Sequence, residues 1–190
     1  MRLRDENKKE AIILATVKLV NEIGFVNSSV SKIAKEANVS PATLYIYYKN
    51  KEDLLISTYI EVKLKLGDAL LKDFDDSLPL RDIFYKLWIN GFEFIRKNRP
   101  LFLYTEQFSN SPYSDLVNHE EVEKHFQPFF KILQKGIEQK IIKDVPFDLI
   151  NVFIFFPVLT LSNSKLCKSV ELNEKTIEKA FTLAWDAIKL

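Results

Sequence analysis

The stretch NVSPATLYIYYKNKEDLL, residues 38–55, places Tyr45, Tyr47 and Tyr48 side by side in a chain with only seven tyrosines. A helix turns by about 100° per residue, so these three phenols cannot all share one buried face. If Leu44 and Tyr48, four apart, define the inner face, then Ala42, Thr43 and Ile46 point outward and Tyr45 and Tyr47 fall on the two flanks. A narrow outer face bordered by hydroxyls can enter the major groove of duplex DNA without steric block, with the flanking phenols donating to phosphates. Thr43 can reach a base edge, and Ala42 and Ile46 can meet thymine methyl groups. Lys51, Lys49 and the hydroxyl of Ser29 would add backbone contacts. The competing use of the same aromatics is packing against the following helix. Packing is the expected role of Tyr48, whereas the angular sorting favours DNA for Tyr45 and Tyr47.

The elements that must hold this face are legible as helix signals. Ile12, Ala15, Thr16, Leu19, Val20 and Ile23 recur at steps of three and four, which predicts a helix over about 5–23 stopped by Gly24. Ser29 is placed to cap a short helix from Val30 to Ala37. Ser40 followed by Pro41 opens a second one, because Pro fits the first helical position where no N–H partner is needed. Ile33, Ala34 and Ala37 share a face, Val39 fills the turn, and small Ala34 lets the two short helices cross closely. The turn needs a residue tolerant of a left-handed backbone, and Asn38 can serve. This is the packing of a helix-turn-helix.

With those residues in place, GFVNSSVSKIAKEANVSPATLYIYYKNKEDLL, Gly24 to Leu55, resembles the DNA-binding domain of the TetR (tetracycline-repressor-like) family of transcriptional regulators. The resemblance runs in order through the G-F, paired-Ser, I-A, V-S, L-Y and K-E-x-L-L positions. It implies a homodimer whose helix-turn-helix heads bind palindromic operator DNA and whose helical body binds a small effector. By position, Ser29, Ser40, Thr43, Tyr45, Tyr47 and Lys51 match residues that family members place on DNA. The chain departs from the family in having Asn38 where Gly is common and Tyr48 where Phe is usual. The expected organisation is all-α, with a head over residues 1–50 (motif about 29–48) and a larger effector-binding and dimerisation body over 51–190.

In that body, helices are expected at about 51–73, from Pro79 toward KNRP, after Pro100, over 117–142 with Pro128 kinking or splitting it, and at 146–163 and 173–189. Phe84, Trp88, Phe92, Phe102, Phe126, Phe129 and Phe130 would line an apolar, aromatic effector pocket, with Glu106, Gln107 and His125 as polar candidates. The run VFIFFPVLTL and the apolar stripe on the last helix exceed what one subunit readily covers. Phe153, Phe156, Phe181, Trp185 and Ile188 are therefore expected at a dimer interface of four helices.

Composition narrows the remaining classes. Residues 1–52 carry nine Lys/Arg against six Asp/Glu, and the rest carry 18 against 20, so a basic head precedes a mildly acidic body. The charged opening MRLRDENKKE predicts no secretory signal, and no apolar run approaches the roughly 20 residues of a membrane span. The single Cys167 predicts no internal disulfide and fits a cytoplasmic setting. No glycine-rich phosphate loop is present. His119 and His125, six apart, sit about 240° apart on a helix, and Glu121 with His125 makes only a two-ligand metal site. Neither an enzyme nor a cofactor is expected. The other reading is a helical module that binds protein or RNA without operator specificity.

Overall fold

A computed structural model describes residues 5–163 and 167–190. Among these, the chain forms eleven α-helices and one short 3-10 turn, with no strand beyond a single bridge between Ile142 and Lys189. The helices are α1 (Glu6–Asn27), α2 (Val30–Glu36), α3 (Pro41–Tyr47), α4 (Lys51–Leu70), α5 (Leu80–Lys97) and α6 (Arg99–Ser109), then α7 (Glu120–His125), α8 (Gln127–Glu138), α9 (Phe147–Ile154), α10 (Phe156–Leu161) and α11 (Glu174–Ile188). They divide into two compact units. One comprises residues up to Leu64 with Arg99–Glu121, and the other Lys65–Asn98 with Val122–Leu190, so the division falls within α4. The polar connection expected after Leu161 includes Ser164, Lys165 and Leu166, which lie outside the described residues, as do residues 1–4.

In the first unit the expected start signals are built. Ser29 Oγ accepts from the Lys32 N–H and Ser40 Oγ from the Thr43 N–H, each satisfying one of the unpaired donors at a helix start. Asn38 has φ 54°, the left-handed conformation the turn requires. Ile12, Ala15, Ile33, Ala34, Leu44, Tyr48 and Leu54 bury one another and make the core that carries α2 and α3. A further cap was not foreseen: Asn50 Oδ1 accepts from the Asp53 N–H while the Asp53 carboxylate accepts from the Lys49 N–H. It is a reciprocal lock on the start of α4. The Tyr104 hydroxyl donates to the Leu55 carbonyl at 2.7 Å, tying α6 to α4.

In the second unit, α5 is the central element, with Ile83, Phe84, Leu87, Trp88, Phe92 and Ile95 all buried. The Trp88 indole donates to the Ile154 carbonyl at 2.8 Å. Prolines divide two of the expected helices, a split anticipated at Pro128 and a second, unanticipated one at Pro157. The 117–142 segment divides at Phe126, next to Pro128, and the 146–163 segment at Phe155, next to Pro157. Each proline lacks the N–H that would continue the ladder and clashes with the carbonyl four residues back.

Gly24 interrupts α1 where a stop is expected, and a short helical piece follows it to Asn27, with Gly24 itself at φ 75° and ψ 170°. That region is open essentially to glycine alone. Nothing lies within 4 Å of a Cβ built there, so its requirement is purely one of backbone conformation. Gly24→Ala should therefore lower the unfolding free energy by about 1–3 kcal/mol despite the free space. Asn38→Ala should cost about 1 kcal/mol, and Asn38→Gly should be tolerated. Urea unfolding of the three variants checks this.

Candidate nucleic-acid interface

Seven residues make a helix too short to persist alone, so α3 owes its existence to its two ends and its inner face. Its start is fixed by Ser40 and Pro41. Inside, Leu44 is fully buried and Tyr48, at the helix end, is nearly so. This leaves the opposite side uncovered. Ala42 is exposed, Tyr45 and Ile46 are 54% and 52% exposed, and Thr43 and Tyr47 are half-buried. The Thr43 hydroxyl lies 2.9 Å from that of Ser40, so the two hydroxyls and the cap form one small polar cluster at the start of the helix.

The flanking groups are not equivalent. The Tyr47 hydroxyl donates to the Asp5 carbonyl at 3.1 Å and accepts from the Asp5 N–H at 2.9 Å. Its one proton is already used, so donating to a phosphate requires it to release Asp5. Asp5 in turn caps α1 through the Asn7 N–H. The Lys51 ammonium donates to the carbonyls of Phe25 at 2.5 Å and Val26 at 3.4 Å, and burial pushes it below the usual lysine range. An ammonium has three donors, so one remains for a phosphate oxygen. Tyr47, the last residue of α3, thus ties to the start of α1, and Lys51, the first residue of α4, ties to the end of α1. Tyr45 and Lys49 carry no such duty and stand at the surface.

The sequence contains no local sign of these ties, because Asp5 lies 42 residues from Tyr47 and Phe25 lies 26 from Lys51. The angular sorting places Tyr47 on a flank, and charge alone suggests Lys51 for phosphate, but neither reveals these partners.

In the second unit, the residues expected around an effector are largely packed together. Trp88 stacks on Phe92 with centroids 6.0 Å apart, and Phe84 meets Phe129 edge-on at 5.9 Å. Phe126 and Phe130 are half-buried, and Phe130 meets Phe147 at 5.1 Å. Phe102 belongs to the first unit and is half-buried there. Gln107 donates to Asn21 in that same unit. His125 sits against Gly67 and Asp68, with Nε2 3.0 Å from the Asp68 carboxylate. Among the described residues no group of three or more His, Cys, Asp or Glu is placed to hold a metal ion.

The residues expected at a subunit interface separate into two sets. Phe181, Trp185 and Ile188 are buried inside their own unit, where Phe181 packs on Tyr85 and Trp88, and Trp185 on Phe84. The buried stripe on α11 packs against α5 and α9 within the same unit. Phe153 and Phe156 remain about half exposed, at 52% and 50%. Leu149 and Val152 continue the same exposed row on α9, and Leu183 is exposed on α11. The spacing 149, 152, 153, 156 is a helical face that the sequence displays, although an all-round apolar run hides which face it is.

Because Tyr47 and Lys51 bond the protein's own backbone, each contributes to stability without DNA. Tyr47→Phe and Lys51→Met should each lower the unfolding free energy of the free protein by about 0.5–1.5 kcal/mol, read from denaturant midpoints. Tyr45→Phe should leave it unchanged.

Comparison with known proteins agrees with this architecture. Residues 79–189 match the family model described as the tetracyclin repressor-like C-terminal domain, and residues 12–58 match that of bacterial regulatory proteins of the tetR family. A TetR family transcription regulator from Marinobacter aquaeolei VT8 has a crystal structure that superposes with a TM-score of 0.89 at 38% identity, covering 100% of this chain and 99% of that one. An HTH-type transcriptional regulator of Haemophilus influenzae is 33% identical over 112 residues, which span 59% of this chain and 60% of the relative. The fatty acid metabolism regulator protein of Bacillus subtilis is 49% identical over 59 residues, 31% of this chain and 29% of its own length. No helix among the described residues is long and apolar enough to cross a membrane. These relatives are regulators of transcription and not enzymes, and with both family models matched the chain belongs to the TetR family of transcriptional regulators.

Proposed function

We propose that this protein is a cytoplasmic, ligand-responsive repressor that grips palindromic operator DNA as a homodimer and is released by a small, largely apolar effector. The observation that carries the DNA part is the exposed, slim face of α3 formed by Ala42, Thr43 and Ile46. Tyr45 stands at its edge, and the Ser29 and Ser40 caps lie on the neighbouring helix starts. Tyr47 acts first as a strut between the end of α3 and the start of α1, and Lys51 as one between the start of α4 and the end of α1, with one donor left for phosphate. Two such heads related by a two-fold axis read a two-fold sequence, with half-sites about one DNA turn or a multiple apart.

The dimer reading draws on the row Leu149, Val152, Phe153 and Phe156 and on Leu183 of α11, which is 74% exposed. An apolar surface of this extent is stabilised by covering it with its own copy. The effector reading draws on the ring cluster of Phe84, Trp88, Phe92 and Phe129. A ligand entering it must separate rings that now touch, which shifts α5 against α8 and changes the separation of the two recognition helices in the dimer. The Bacillus relative acts in fatty acid metabolism by name, so a long-chain acyl-CoA is the first effector to assay.

Genomic fragments retained by the purified protein should share a two-fold sequence, and their binding should weaken steeply with salt. Retention without preference for any sequence contradicts the repressor reading and favours a general interaction module. Phe153→Asp should convert the dimer to a monomer in light scattering and reduce operator affinity by at least tenfold. A stable wild-type monomer at micromolar concentration would remove the dimer from the account.

A further inference from the structure

Between Pro41 and Tyr47 no residue carries an amide, guanidinium, ammonium or carboxylate group: the sequence is Pro-Ala-Thr-Leu-Tyr-Ile-Tyr. The side chains that recognise guanine or adenine by paired hydrogen bonds are Arg, Lys, Asn and Gln, and α3 offers none of them. Its outward surface is instead methyl-rich. Ala42 presents one methyl, Thr43 another beside a hydroxyl already in contact with Ser40, and Ile46 a larger apolar group that is half exposed. In the major groove only one base edge offers an apolar partner for such groups, the C5-methyl of thymine. Ile46 keeps 52% of its apolar surface exposed, a cost in solubility unless that surface meets a partner.

Resting on the reading of α3 as the groove-entering helix, we propose that this protein selects its operator chiefly through thymine methyl groups, with Ile46 as the main specificity-determining residue and Ala42 and Thr43 as its neighbours. The operator half-site then carries thymine beneath α3. Its discrimination comes from apolar contact together with the shape of the duplex and not from a bidentate base pairing by the helix.

The test uses a retained genomic operator, synthesised with each half-site thymine replaced in turn by deoxyuridine, which removes the methyl and leaves every hydrogen-bonding group in place. Binding is measured by fluorescence anisotropy at fixed salt. At one or more positions per half-site, uracil should weaken binding about fourfold, the worth of one buried methyl-sized group. Replacing the same thymine by cytosine should weaken binding as well, and 5-methylcytosine should recover part of that loss. In Ile46→Ala, the thymine and uracil duplexes should bind alike at the position Ile46 covers. Each comparison is made within a single protein, so partial unfolding of a variant cannot imitate it. Uracil operators bound within twofold of the parent at every position would overturn the inference, as would an undiminished uracil penalty in Ile46→Ala. If the wild-type protein retains no duplex selectively, the repressor reading itself fails and this inference falls with it, an outcome distinct from selective binding that ignores methyl groups.

Discussion

Burial of Leu44 against the core of the first unit allows a seven-residue helix to stand at the protein surface, and the arrangement of the head follows from that constraint. Such a helix forms barely two turns, fewer than the length at which helices become stable in water. It persists because Leu44 and Tyr48 sit in one cluster with Ile12, Ala15, Ile33, Ala34 and Leu54, supplied by α1, α2 and α4. Removing a fully buried leucine side chain from such a cluster costs about 2–5 kcal/mol, a large share of a small unit's stability. The caps at Ser29, Ser40 and Asn50 set where the helices start, and the cluster decides which way they face.

A consequence is that Ala42, Thr43 and Ile46 stay outside this cluster on the outer side of α3, with Tyr45 and Tyr47 at its flanks. Tyr47 and Lys51 spend hydrogen bonds on the two ends of α1, while Tyr45 and Lys49 do not. The helix is thus capped at its start by Ser40 and held at its end by Tyr47 while its outer surface remains open. Preorganisation of this kind lowers the ordering cost of binding, because the donors and methyl groups already occupy fixed positions.

Much of the head could be read from residue order because its determinants are local. Ser-Pro at a helix start, an Asn in a left-handed turn and apolar residues three and four apart act within a few residues of themselves. The Tyr47–Asp5 and Lys51–Phe25 ties escaped that reading since they join residues far apart in the chain. In the second unit the aromatic residues were legible as apolar but not as inward or outward. Phe181 and Trp185 look, by type and spacing, as fit for an interface as Phe153 and Phe156. Only the packing of α11 against α5 shows that the first pair is already enclosed. Helix breaks followed the same logic: Pro128 and Pro157 mark where continuity is at risk, but the exact division at Phe126 and Phe155 depends on tertiary packing.

The face of α3 bearing Ile46 is the surface proposed to meet DNA. Methyl NMR of the isoleucine-labelled protein bound to a retained operator addresses this directly. If that face enters the groove, the Ile46 methyl signals shift strongly and show cross-peaks to DNA protons, while those of the buried Ile12 and Ile33 remain near their free positions. Ile46 signals unchanged in a protein saturated with operator would contradict it.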